Sequence, residues 1–174
     1  ESTFIDASFS LSLYDNFDEL YLEPVNTYPA LVRSDIKDYL REFSSGLNLE
    51  RLEINHFRKT NNNYLAFKAG IFEAMFGGYG FEYLRLDQFS NFAYGFEIYE
   101  AYKRDYSYDL DFLEYKNTTG HINFYHFFNP LELTTHLSWG EYLAGDKGFS
   151  IDMSKRFENG LKFGFFATFT DVTS

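Results

Sequence analysis

The sequence predicts an all-β protein, an up-and-down antiparallel β-barrel or a segment of one, with a short helix in its first long loop. Three observations carry this expectation. Apolar and polar residues alternate with a period of two, as in Ile5, Ala7, Phe9, Leu11 and Leu13 set between Asp6, Ser8, Ser10 and Ser12. Aromatic residues make up 22% of the chain, with 22 Phe and 15 Tyr, a bias toward extended structure and interfacial positions rather than an aliphatic core. No run of about 18 apolar residues exists, which excludes a transmembrane helix but not a barrel, where only every second residue meets lipid. The mean hydropathy of −0.35 fits a soluble protein or such a barrel equally.

The elements follow in order. After the first strand, residues 15–45 lose the alternation, hold Pro24 and Pro29, and form the longest connection. Within it "RSDIKDYLREF" (Arg33 to Phe43) predicts a short helix capped by Ser34. Leu52 and Ile54 then lead through the Asn-rich turn chemistry of "RKTNNN" to Leu65, Phe67, Ala69 and Ile71. The three glycines of "FGGYGFEYLRL" permit a bulge or a loop. Phe92, Tyr94, Phe96 and Ile98 face one way, with Ala93, Gly95 and Glu97 opposite, and "YKRDYSYDLDFLEYKN" reads as a loop or strand end at a polar surface.

Two hairpins fix the register of the last third. A two-residue turn at Asn129-Pro130 pairs Phe128 with Leu131 and His126 with Leu133; a three-residue turn at Glu158 to Gly160 pairs Phe157 with Leu161 and Phe149 with Phe169. Both gather apolar residues on one face, and a slip of one residue would undo that. Between them "AGDKG" turns the chain on Gly145 and Gly148 and keeps Leu143 and Phe149 on one face. It is no phosphate cradle, because "FSIDMSKRF" continues as a strand instead of opening a helix. The chain thus reads as about nine strands, with lengths near the roughly 9–11 residues that cross an outer membrane obliquely.

Composition narrows the function. At 174 residues the chain makes one domain, residues 1–174 being a single barrel domain or a segment of a larger barrel. Its 26 Asp and Glu against 15 Lys and Arg give a net charge of −11, which repels phosphate backbones and excludes nucleic acid as a partner. The absence of Cys removes disulfides, thiolate metal sites, a cysteine nucleophile and a lipid-modified cysteine within this stretch. Glu1 opens no basic and apolar signal, so any export signal is expected to have been removed or to lie outside this piece.

Opposite the apolar face lie Ser8, Ser10, Glu132, Thr134, His136, Ser138, Ser150, Asp152, Ser154 and Arg156, heavy polarity for a packed core and natural for a wet lumen. With the apolar face inward, the protein would be a soluble carbohydrate-binding barrel or β-sandwich; with it outward, a membrane barrel contacting outer-membrane lipid. Aromatics at strand ends (Tyr14, Phe128, Phe157, Phe169), mid-strands free of charge on the apolar face, and Lys155 near a strand end favour lipid.

"GEYLAGDKGFSIDMSKRFENGLKFGFFATFTDV" (Gly140 to Val172) resembles the YjbH/GfcD family, outer-membrane β-barrel proteins of exopolysaccharide and group 4 capsule operons in Gram-negative bacteria. The matching elements are Tyr142 to Asp146, Gly148, Arg156-Phe157, Gly160, Gly164, Ala167 and Thr170, and upstream "VRSDIKDYLRE" and "MFGGYGFEYL" match in the same order. The resemblance implies a non-catalytic part in making, exporting or anchoring a surface polysaccharide. It carries over no catalytic residue. Family members continue past Ser174, and this chain lacks the terminal aromatic that closes outer-membrane barrel sequences. Further segments or partner proteins of a secretion system are therefore expected to complete the barrel, since unpaired edges cannot face lipid.

Candidate chemistry centres on glycan contact, where aromatic rings stack on sugars and charged groups bond hydroxyls. Tyr142, Asp146 and Lys147 lie at one rim, while Asp152, Arg156, His136 and Glu132 fall on the polar face. The plainer alternative is a lumen ion-pair network for Asp152 and Arg156 and a solvated turn for Asp146 and Lys147. No cofactor is expected, and no metal: of His56, His121, His126 and His136, His121 and His126 point to opposite faces, His126 also faces away from His136, and no site with two close imidazoles emerges. Neither a glycosidase carboxylate pair nor a nucleophile elbow stands out, and Trp139 falls on the apolar face.

Overall fold

The computed structural model describes residues 1–19, 32–43, 46–87 and 89–171. Part of the long first connection, with Pro24 and Pro29, and the last three residues lie outside these. The strands are β1 (Ser2–Leu11), β2 (Leu47–Thr60), β3 (Asn63–Ile71), β4 (Phe76–Leu86), β5 (Phe92–Arg104), β6 (Phe112–Phe128), β7 (Leu133–Glu141), β8 (Lys147–Arg156) and β9 (Lys162–Thr170). They form one sheet in sequence order, with antiparallel neighbours throughout. Among the described residues β1 and β9 each pair with one neighbour, so the sheet is an open arc. One end carries the short turns β2–β3, β4–β5, β6–β7 and β8–β9; the other carries the first connection and a helix, α1 (Ile36–Phe43).

The alternation resolves into two faces of different exposure. Ile5, Phe9, Ile54, Phe96, Ile98, Ile122, Trp139 and Phe165 share the exposed face, Ile5 at 71% and Ile122 at 62%. On the other face Asn55, Asn123, Ser138 and Ser154 are buried, as are Ala66 and Ala93. The sheet therefore curls with its polar face inside. Phe4 and Phe57, ring-stacked at 5.5 Å, and Phe166 are aromatic exceptions on the inner face.

The β8–β9 hairpin has the predicted register, with Phe149 opposite Phe169 and Lys155 opposite Phe163. The β6–β7 hairpin does not. Phe128 faces Leu133 instead of Leu131, because residues Asn129–Leu131 take a 3-10 turn and Glu132 follows in the left-handed conformation at φ 53°. A shift of two preserves the faces but places Glu132 in the turn. The stretch with three glycines is neither bulge nor loop but the whole of β4, its glycines falling in the first half. Leu143 is not on Phe149's outer face: β7 ends at Glu141, and Leu143 turns inward onto the core.

That core sits at the helix end, not under the sheet. Tyr39 from α1 packs with Met75, Phe76, Ala101 and Tyr108, flanked by Phe43, Tyr106, Tyr115 and Leu143. Asp38 in the first turn of α1 and Arg41 in the last match the helix dipole. Ser34 does not cap through its side chain, whose Oγ is buried without a partner.

Glycine is required where β3 crosses β4: Gly70, at φ 134°, faces Gly78, at φ 149°. A Cβ at Gly78 would collide with the Glu100 carbonyl oxygen, and one at Gly70 with that of Leu52. Gly78→Ala is expected to destabilise the sheet by about 1–3 kcal/mol, read as a lower midpoint in thermal unfolding followed by circular dichroism. An unchanged midpoint would contradict this account.

Candidate functional site

The inner wall is built by alternation alone, since each inward residue sits beside an inward residue of the next strand. From β1 to β5 it is a run of charge pairs. Arg51 lies 3.5 Å from Asp6 and 4.0 Å from Glu53, Lys68 lies 2.7 Å from Glu82, and the Tyr99 hydroxyl donates to Glu82. From β5 to β9 it becomes aromatic and neutral-polar. His121 Nδ1 meets Glu97 at 3.2 Å, His136 Nε2 meets Asn123 Oδ1 at 2.8 Å, and the His136 ring stacks on Tyr125 with centroids 4.4 Å apart and planes 7° off parallel.

The structure gathers three of the seven predicted site residues there. Asp152 faces His136 across β7–β8. Tyr142 reaches inward from the turn after β7, its hydroxyl 2.5 Å from Ser150 Oγ and its ring 4.6 Å from that of His121. The other four lie at the rims. Lys147 stands beside Glu141 on the outer face at 3.7 Å; Asp146 is in the Tyr142 turn, its carbonyl accepting the Tyr142 N–H at 2.8 Å. Glu132 pairs with Lys155 at 3.7 Å, and Arg156 ends β8 opposite Lys162. No Asp152–Arg156 ion pair forms among the described residues.

Tyr125 and Phe166 belong to this wall and were missed by the sequence reading. Phe165 and Phe166 are adjacent, so one must point inward, and that signal was available. His121 and His136 do share the inner wall, each with its own partner, and among the described residues no three His, Asp or Glu side chains converge as a metal would require.

The helix end holds a second polar cluster, also unforeseen because "YKRD" reads as surface. Asp35 and Lys103 form a 2.7 Å ion pair with both side chains 2% exposed. Tyr106 donates to Asp35 at 2.8 Å, Tyr39 donates to the Arg104 carbonyl at 2.5 Å, and the Arg104 guanidinium donates to the carbonyls of Leu49, Glu73, Ala74 and Asp109. Together these bonds seat α1 across the inner face at that end.

Burial, and then the bond to Asp35, push Tyr106 up to about 12; burial and the neighbouring Asp35 charge raise Tyr39 further. The folded chain holds these phenol protons more tightly than an unfolded chain, whose tyrosines ionise near 10.0. Their contribution is therefore complete below pH 10 and lost as pH rises toward 12. Protease cleavage within residues 32–43 is expected to stay constant from neutral pH to about 10 and to rise above it, in step with tyrosinate absorbance.

An antiparallel wall with apolar side chains outward and polar ones inward defines the class: an all-β, up-and-down antiparallel sheet protein, here an open nine-stranded arc compatible with part of a barrel. More narrowly, the chain belongs to the YjbH family, since the family described as "Exopolysaccharide biosynthesis protein YbjH" matches residues 1–174. It is 30% identical over 175 residues to an Escherichia coli (strain K12) protein named "Uncharacterized lipoprotein YjbH", covering 95% of this chain and 24% of that relative. The chain thus spans about a quarter of the relative's length. No solved structure matches it.

Proposed function

We propose that this chain is part of an outer-membrane β-barrel that assists exopolysaccharide secretion without catalysis, its outer face against lipid and its inner wall against water and polymer. One observation carries the reading: the large apolar side chains are the exposed ones, while the charged and hydroxylated ones line the concave face. In water that arrangement leaves an apolar surface far larger than a soluble monomer tolerates. In a bilayer it is the expected one. Membership of an exopolysaccharide family and the relative's description as a lipoprotein support an envelope location.

The test is fractionation of the full-length protein. Recovery with outer membranes, and a band that shifts on SDS gels only after heating, is the expected result. Monodisperse, heat-insensitive protein in detergent-free buffer would overturn the reading.

A further inference from the structure

The registers of β5 to β9 align Ala93, Tyr125, His136, Asp152 and Phe166 as one row across the inner wall. The next row toward the helix end is Gly95, Asn123, Ser138, Ser150 and Thr168. The first row offers ring faces: the flat Tyr125–His136 stack on one side and Phe166, 79% exposed, on the other. Asp152 lies between them without a hydrogen bond or ion pair among the described residues. In the second row Asn123 and Ser138 are buried, and Ser150 and Thr168 offer hydroxyls, Ser150 Oγ lying 2.8 Å from Thr168 Oγ1. Strand spacing puts Tyr125 and Phe166 roughly 14 Å apart, the reach of a short oligosaccharide. Ring faces for the C–H faces of sugars, beside a carboxylate and hydroxyls for their OH groups, form the two halves of a glycan site.

The charges select among glycans. Two to four register rows nearer the helix end the inner wall carries Glu82, Glu97, Asp6 and Glu53, and its cations Arg51 and Lys68 are already paired with carboxylates. Arg156 and Lys162 stand two residues beyond the adjacent row, at the short-turn rim. A uronate or phosphate chain would meet uncompensated Asp152 and no available cation, whereas an amine or hydroxyl would give Asp152 its partner.

We propose that the Tyr125–His136–Asp152–Phe166 row is a glycan track running across the strands, and that its ligand is an amine-bearing or uncharged hexose chain rather than an anionic one. This rests on the secretion reading above and adds to it the class of polymer.

The experiment is calorimetric titration of the full-length protein, folded in detergent, with three hexamers: chitosan, N-acetylated chitohexaose and polymannuronate. Chitosan hexamer is expected to bind tightest and the mannuronate weakest. Phe166→Ala should weaken binding of the first two about tenfold, and Asp152→Asn should remove an approximately fivefold preference for chitosan over chitohexaose. Heat-shifted migration serves as the check that both variants fold. Mannuronate binding as tight as chitosan would overturn the ligand class while leaving the barrel reading intact. Unchanged binding in folded Phe166→Ala, or no binding of any hexamer, would overturn the track itself; the barrel reading is decided separately by fractionation.

Discussion

Ile122→Arg is expected to block assembly of the protein into membranes. Ile122 stands on the outer face between Phe96 and Trp139 and is 62% exposed. In water, arginine at so exposed a site changes stability by no more than about 0.5 kcal/mol. Against the middle of a bilayer it costs about 2–4 kcal/mol. The same side chain is therefore harmless in one solvent and disruptive in the other. Refolding into lipid vesicles, scored by heat-shifted migration, should show a large loss for Ile122→Arg and little for Thr168→Lys, which places its charge at the same height on the inner wall. Equal folding of the two variants would mean that the outer face does not meet lipid.

Lys103→Met is expected to release α1. The Lys103–Asp35 pair is the most deeply buried ion pair among the described residues, and Lys103 Nζ also lies 5.9 Å from the ring centres of Tyr39 and Phe76. Methionine fills similar volume but leaves the buried Asp35 carboxylate with the Tyr106 hydroxyl as its remaining partner among the described residues. Removing one partner of such a pair costs about 3–5 kcal/mol. The loss falls on the seating of the helix, so the readout is protease cleavage within residues 32–43 alongside the unfolding midpoint. Lys103→Met combined with Asp35→Leu should recover part of the loss, because neither half of the pair then stays buried alone. A double variant as labile as the single one would mean that packing around Lys103, and not its charge, holds α1.

How far the sequence could be read depended on how local the cause was. The Phe149–Phe169 register was legible because the Glu158 to Gly160 turn and both alternating flanks are contiguous, with Gly160 supplying the positive φ of 86°. The Phe128 register was missed by two residues because Pro130 is compatible with the 3-10 turn as well as with a two-residue turn. Period-two alternation cannot see an error of two. Lys103 and Arg104 were unreadable for a different reason. Adjacent charges look solvated until α1 arrives, and Asp35 lies 68 residues away in sequence. In the candidate site His136 and Asp152 followed from alternation and Asp152 opposite Phe166 from the β8–β9 register, but the alignment of His136 with Tyr125 needed the correct β6–β7 register.

The strand count has a topological consequence. Nine is odd, so β1 sets out from the short-turn end and β9 arrives at the helix end. Whatever polypeptide is joined ahead of β1 and whatever is joined beyond β9 are handed to opposite ends of the wall. The two free edges also point the same way, so a seam made directly between them would be a parallel ladder, slanted and slightly weaker than its neighbours. Adding one strand, or any odd number, would restore antiparallel pairing at every seam and return both chain ends to the same side.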